Sequence, residues 1–154
     1  MNDWPKEVSS IPAGKIQIRS TLLHPGKIHL LTQILQAYKN TENRTEREIW
    51  IYAFFDHAYH LKDWFKNFPL IANFDDRWKN YSGNLYFKLC RDFCNRNKHI
   101  KVTQPSISSN VRLMRMIEND IEQHYITYDN KYMPAEFLMT EVLKFWKDFE
   151  RTEL

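Results

Sequence analysis

The chain has very little glycine, which limits the kinds of active site it can build. Only three of its 154 residues are glycine, at positions 14, 26 and 83. Loops that bind nucleotide phosphates through backbone N–H groups need closely spaced glycines, and so does the sharp turn that presents a serine nucleophile in many hydrolases. We therefore set aside the usual nucleotide-binding loops, the dinucleotide fingerprint and this type of serine hydrolase.

Cysteine is also scarce. Cys90 and Cys94 are the only two, and at a spacing of four residues on a helix they lie close together without good disulfide geometry. Neither belongs to a Cys-x-x-Cys pair, which is typical of zinc sites built from thiolates. We expect two reduced thiols with a structural role.

Long apolar runs are missing as well. No stretch approaches the roughly 20 apolar residues of a membrane-spanning helix, and the opening Met-Asn-Asp-Trp-Pro-Lys-Glu lacks the charged-then-apolar order of a secretion signal. We expect a cytoplasmic protein that makes no membrane contact. The length fits one domain, and five Trp, eight Tyr and ten Phe residues can fill a single core.

Helical periodicity dominates what is present. We predict a mainly α fold, a single-domain helical bundle of about four helices with a small antiparallel β-hairpin before the C-terminal helix. Residues 1–26 contain three prolines and two glycines, so they are predicted to form an irregular N-terminal arm, and residues 27–154 the helical domain. The long helices are predicted at 27–40, 45–67, 85–99 and from Pro134 onward.

Shorter elements are predicted between these helices. Residues 74–81 are expected to form a short helix or turn. Residues 111–117 fit either a helical or a strand period, and we favour a strand. The β excursion is then predicted at about 111–133, because β-branched and aromatic residues at 124–128 precede a turn at 129–131.

The second predicted helix has a start signal and an apolar stripe. Thr45 is predicted as its N-cap, with Glu48 as the capping-box partner. The stripe consists of Trp50, Ala53, Phe54, His57, Leu61, Trp64, Phe65 and Phe68. In the third predicted helix the residues expected to be buried are Leu85, Tyr86, Leu89, Cys90 and Phe93.

The third predicted helix also carries the chain's most unusual polar chemistry. From position 88 to 101, five Lys/Arg residues and one acid give a local charge of +4 in a chain whose net charge is +3. At about 100° per residue, the lysines and arginines at 88, 91 and 98 share a face with Asn95, and Asp92 and His99 lie at its edge. Such a face is typical of plain solvent exposure or of anion binding.

Asn95, Asn97 and His99 favour anion binding over plain solvent exposure, because Asn and His are weaker helix formers than Glu, Lys or Ala. The predicted RNA- or phosphate-binding residues are Lys88, Asp92, Asn95, Asn97, Lys98 and Lys101.

The second predicted helix contains residue types that bind metals. His57-x-x-His60-x-x-Asp63 places imidazole and carboxylate groups at neighbouring helical positions, beside Asp56. The alternative is that His57 is a hydrogen-bonded core residue, since it lies within the aromatic stripe. A complete site needs ligands from elsewhere, such as His99 or His124. We predict no cofactor and no metal, with His60, Asp56 and Asp63 as the metal-ligand candidates if one is bound.

Two segments together resemble a known superfamily. Ala58-Tyr-His-Leu-Lys-Asp-Trp64 and Arg91-Asp-Phe-Cys-Asn-Arg-Asn-Lys-His99 resemble segments of small bacterial helical proteins and, more distantly, of the HEPN superfamily. That superfamily is helical, often dimeric, and includes metal-independent ribonucleases of defence and toxin systems. The resemblance implies RNA as a partner and a homodimer. It also implies that His99 acts as general acid or base, while Arg91 or Arg96 stabilises the transition state of attack by the RNA 2′-hydroxyl.

The superfamily's motif has four to six residues between its arginine and histidine. Here seven residues separate Arg91 from His99 and two separate Arg96 from His99. Three hypotheses remain open. They are an RNA- or phosphate-binding HEPN-like domain with or without ribonuclease activity, a non-catalytic structural or protein-interaction module, and a metal-dependent helical enzyme using His57, His60 and Asp63.

Overall fold

The computed structural model describes residues 13–67, 71–98 and 110–154, and side chains from residue 26 to 67, 71 to 97 and 110 to 154. This part of the chain folds into helices around one core, with an antiparallel sheet before the last helix. The helices are α1 (Ala13–Asn40), α2 (Arg44–Asn67), α3 (Phe74–Trp78), α4 (Leu85–Lys98) and α5 (Ala135–Glu153), and the strands are β1 (Arg112–Glu118), β2 (Ile121–Tyr128) and β3 (Lys131–Pro134). The predicted mainly α fold with a small β unit is confirmed.

The first helix is longer than predicted. It begins at Ala13 and continues through Pro25 and Gly26, so the irregular arm predicted for residues 1–26 is wrong from Ala13 onward, and residues 1–12 lie outside the described residues. Proline and glycine disfavour a helix interior, but the remaining hydrogen bonds of a long helix can compensate for the one that proline removes. The apolar face that follows them is buried, and it consists of Ile28, Leu31, Ile34, Leu35 and Tyr38.

The start of α2 corrects the predicted cap. The Asn43 side-chain Oδ1 accepts a hydrogen bond from the Glu46 N–H at 3.0 Å, and the Asn43 carbonyl accepts one from the Arg47 N–H at 2.9 Å. Asn43 is therefore the N-cap, and Thr45 lies inside the helix. Both residue types suit a cap, so the backbone path decided between them. Glu48 is therefore not the capping-box partner of Thr45, and it interacts with other elements.

The buried face of α2 is rotated relative to the predicted stripe. Ala53 and His57 are only half-buried, Trp50 and Trp64 are partly buried, and Phe68 lies outside the described residues. The helix packs against α1, α4 and α5, so these three helices cover a wider part of its circumference than a single apolar stripe. Its buried residues are Ile51, Phe54, Phe55, Ala58, Leu61 and Phe65.

An aromatic cluster joins α2, α3 and α5. The fully buried Trp146 of α5 donates its indole N–H to the Ala58 carbonyl of α2 at 2.9 Å. Its ring stacks on Phe65 with centroids 5.5 Å apart and on Trp78 of α3 at 5.7 Å. The apolar face of α5 packs into this core, and its buried members include Leu138, Val142, Phe145, Trp146 and Phe149.

The sheet has the order β1-β2-β3, and its third strand was not predicted. Two-residue turns connect the strands, Asn119-Asp120 with φ of 51° and 62° and Asp129-Asn130 with φ of 45° and 60°. Tight hairpins need this left-handed conformation, and Asn and Asp tolerate it better than other residues with a side chain. The chain therefore forms two tight hairpins without glycine. No described helix combines the length and apolar character required to cross a membrane.

Candidate functional site

The basic face predicted on α4 is present on the described part of that helix. Lys88, Arg91, Asn95 and Arg96 are partly exposed, and Asn97 is exposed. Three other predicted site residues, the Lys98 side chain, His99 and Lys101, lie outside the described residues. Their binding and catalytic roles stay predictions.

Asp92 departs from its predicted position. It was expected at the edge of the polar face, but it is completely buried, whereas Leu85, expected to be buried, is 42% exposed. Buried carboxylates are rare in proteins and need polar partners. Because Asp92 is the acid of this segment, its burial leaves positive charge on the described surface of α4. The buried residues of α4 are Phe87, Leu89, Cys90, Asp92, Phe93 and Cys94.

Three groups of metal-ligand type meet where α2 packs on α4. The Cys94 S–H donates to the Asp56 Oδ1 at 3.5 Å. The His60 Nδ1 lies 2.7 Å from the Asp56 carbonyl oxygen and 3.5 Å from its Oδ1. One ligand atom from each residue lies within 4.8 Å of the other two. Ligand atoms around tetrahedral zinc are separated by roughly 3.3–3.8 Å, as metal–ligand bonds of about 2.0–2.3 Å require. Small side-chain shifts would bring these three atoms to such separations and leave the fourth position for water or another ligand.

This cluster contains two of the predicted metal-ligand candidates, and its third member is Cys94. Asp56 and His60 belong to it, but His57 and Asp63 do not. The His57 Nε2 lies 3.3 Å from the Lys27 carbonyl oxygen of α1, and burial lowers the pKa of His57. The alternative prediction for His57, a hydrogen-bonded residue at the core, fits this position.

The two cysteines have different surroundings. Neither forms a disulfide, and both are buried. The Cys90 S–H donates to the Phe55 carbonyl at 3.5 Å, and burial raises the pKa of Cys90 well above its usual value. Cys90 is therefore a neutral structural thiol, as predicted, whereas Cys94 contacts a carboxylate on α2. The sequence carried no sign of this contact, because Cys94 is 38 residues from Asp56.

An aromatic and a guanidinium group adjoin this cluster. Tyr59 is half-buried, and burial raises its pKa while the charge of Arg91 opposes the rise. The Tyr59 ring also meets the His60 ring edge to face, with centroids 5.2 Å apart. We refer to Asp56, Tyr59, His60, Arg91 and Cys94 as the α2–α4 site.

A second polar group lies where the sheet packs on α2. The His124 Nε2 of β2 and the Arg115 Nε of β1 each lie 3.3 Å from the same Glu48 carboxylate oxygen. The Arg44 Nε is 2.8 Å from a carboxylate oxygen of Glu122. His124, named from sequence as a metal ligand from elsewhere, therefore pairs with Glu48. Eight residues of helix, about 12 Å, separate Glu48 from Asp56, which keeps His124 out of the α2–α4 site.

Comparison with known proteins gives no match to a protein family, to a curated protein or to a solved structure.

Proposed function

We propose that this protein is an RNA-binding helical domain that holds phosphate groups along α4 and contacts a base at the α2–α4 site. The burial of Asp92 carries the proposal. It leaves Lys88, Arg91 and Arg96 as the charged groups on the described surface of this helix. Guanidinium groups bind phosphate through paired N–H bonds, and a lysine ammonium adds a point charge.

The α2–α4 site supports RNA over a free phosphate ion. Tyr59 is a half-buried aromatic residue on which the charge of Arg91 acts, and proteins that bind single strands combine basic grooves with rings on which bases stack, at about 1–3 kcal/mol per base. Asp56 and Asp63 are exposed on α2. Their charge repels phosphate, so the RNA backbone is expected to follow α4 and not α2.

The catalytic form of this proposal is that the protein also cleaves the RNA that it binds. A histidine removes the proton of a 2′-hydroxyl, whose oxygen attacks the adjacent phosphorus. The 5′-oxygen then leaves with a proton, and a 2′,3′-cyclic phosphate and a 5′-hydroxyl remain. Arg91 or Arg96 stabilises the extra negative charge of the transition state. His99 is the predicted acid or base, and His60 is the histidine that the structure describes at this site.

Binding is tested by the salt dependence of fluorescence anisotropy with a labelled single-stranded RNA. If three cations contact phosphates, log K should fall with log salt at a slope of about −2, and Arg91→Gln should reduce the slope to about −1.4. Arg151→Gln is the matched control, because it removes an equal charge from an exposed arginine on α5. Absence of binding at low salt, or an equal effect of the control, would refute the proposal.

Cleavage is tested separately with the same RNA. We expect His99→Ala to abolish it and to leave the circular dichroism spectrum unchanged, and His60→Gln is measured beside it. If cleavage persists in both variants, the catalytic assignment is wrong while RNA binding stands.

We also propose that the protein is cytoplasmic and forms a homodimer, as many HEPN proteins do. Sedimentation equilibrium measures the dimer directly. A protein-interaction module would instead hold its partner as salt rises, since an apolar interface depends little on counterion release.

A second candidate function is metal binding by Asp56, His60 and Cys94. The two 3.5 Å separations at the Asp56 carboxylate favour it, as does a donor set of imidazole, carboxylate and thiolate, which zinc accepts. Adding cobalt(II) should produce thiolate-to-metal charge-transfer absorption. We expect Cys94→Ser to abolish the absorption and Cys90→Ala, on the same helix, to retain it. A wild-type protein without this absorption would rule the metal site out.

A further inference from the structure

A cavity of about 390 Å³ lies between α1, α2, β2 and α5, away from the α2–α4 site. Tyr38, Arg47, His124 and Glu136 are among the residues that line it. Such a volume is at the lower end of the range for small-molecule sites, and it is too small for a folded RNA.

Two buried polar atoms of the cavity-lining residues have no hydrogen-bond partner among the described residues. They are the Arg47 Nε and the His124 Nδ1. The His124 side chain is only 1% exposed, and the Arg47 guanidinium lies 4.7 Å from the centroid of the Tyr38 ring. Buried polar atoms are usually satisfied by protein, water or ligand, so both positions call for an external partner.

The pairing of His124 indicates the partner's chemistry. Its Nε2 faces the Glu48 carboxylate at 3.3 Å, and an ionised carboxylate only accepts hydrogen bonds, so Nε2 carries the hydrogen. The Nδ1 becomes a donor when the ring is protonated, and the Arg47 Nε–H is always a donor. Two cationic donors on one cavity suit an oxyanion.

We propose that this cavity binds the carboxylate or phosphate group of a small ligand between Arg47 and His124. Glu136 is the acid among the lining residues named above, and it pairs with Lys39 at 3.6 Å, which reduces its repulsion of an anion. The site does not depend on RNA binding at α4.

Both groups donate to the anion when His124 is protonated, because a protonated imidazole donates from both nitrogens. The charged and titratable groups that surround His124 come from every element at the cavity and from β1. They are Tyr38, Arg47, Glu48, Arg115, Glu122 and Glu136.

The test uses inorganic phosphate and acetate as ligands and the imidazole NMR signals of His124 as the readout in the wild-type protein. Each anion should shift these signals saturably, and chloride at equal ionic strength should not. Arg47→Met removes the donor but keeps an apolar stem on Tyr38, and we expect it to weaken binding at least tenfold. Arg151→Gln and Arg91→Gln should leave the His124 response unchanged, which separates this site from phosphate binding at α4.

The proposal would be overturned if the His124 signals shift with neither anion, or if chloride shifts them equally. So would a folded Arg47→Met protein with wild-type affinity. If Arg47→Met does not fold, Arg47→Lys retains the charge without the Nε donor and takes its place, and the wild-type titration still decides.

Discussion

Replacing Trp146 with phenylalanine measures how much the aromatic cluster contributes to stability. The change removes the 2.9 Å hydrogen bond to the Ala58 carbonyl, which is worth about 1 kcal/mol net. The smaller ring also leaves a cavity of about 40 Å³ among rings that cannot collapse freely, which costs about 1 kcal/mol. We therefore expect Trp146→Phe to lower the free energy of unfolding by about 2 kcal/mol.

Urea denaturation followed by far-ultraviolet circular dichroism measures this loss. Trp50→Phe is the matched control, because it makes the same chemical change at a partly exposed position on α2, where less than half the effect is expected. Equal losses in the two variants would show that neither the buried hydrogen bond nor the stacked rings add stability beyond the size of the side chain.

Three further predictions concern α2 and its contacts. Asn43→Ala should lower the unfolding free energy by about 1 kcal/mol, as loss of an N-cap does, whereas Thr45→Ala should change it by less than about 0.5 kcal/mol; the reverse order in urea denaturation would restore Thr45 as the cap. Burial lowers the pKa of His57 from 6.5, so the unfolded state takes up a proton before the folded state does. The free energy of unfolding should therefore fall as the pH drops below 6.5. His57→Gln should flatten this pH dependence, and an unchanged pH profile in that variant would refute the prediction. Despite desolvation, the hydrogen bond and charge of Arg44 lower the pKa of Glu122 from 4.5, so this pair should stabilise the fold above that pH and lose its effect as pH falls through the lowered pKa. Arg44→Gln should raise the Glu122 value in a carboxyl NMR titration, and a constant value would contradict the pairing.

Elements with a strong local pattern could be predicted from the sequence. The face of α5 repeats apolar residues over about three turns, from Leu138 to Phe149, and the aromatic and β-branched run of β2 leads into its turn. Strand β3 has only four residues and ends in Pro134, which is too short for any period to be visible. At the start of α2, Asn43 and Thr45 are both good caps, and only the path of the chain from α1 distinguishes them.

The candidate site was predicted less completely, because burial depends on what covers a helix. A helical wheel places Asp92 on the polar side of α4, but Asp92 is buried in the folded helix, which packs against both α2 and α5. Contacts between distant segments leave no local trace. Glu48 and His124 are 76 residues apart, and nothing in either segment indicates the other.

The link between α5 and α2 has a consequence for synthesis of the chain on the ribosome. Trp146 completes its hydrogen bond with Ala58, which is made 88 residues earlier. At about 5–20 residues per second, this corresponds to roughly 4–18 s after synthesis of Ala58. During this time the apolar faces of α2, and later of α3, lack their contacts with α5. Chaperones are expected to bind the nascent chain in this interval, and substitutions that make these faces more apolar should lower the yield of folded protein more than the stability of protein already folded.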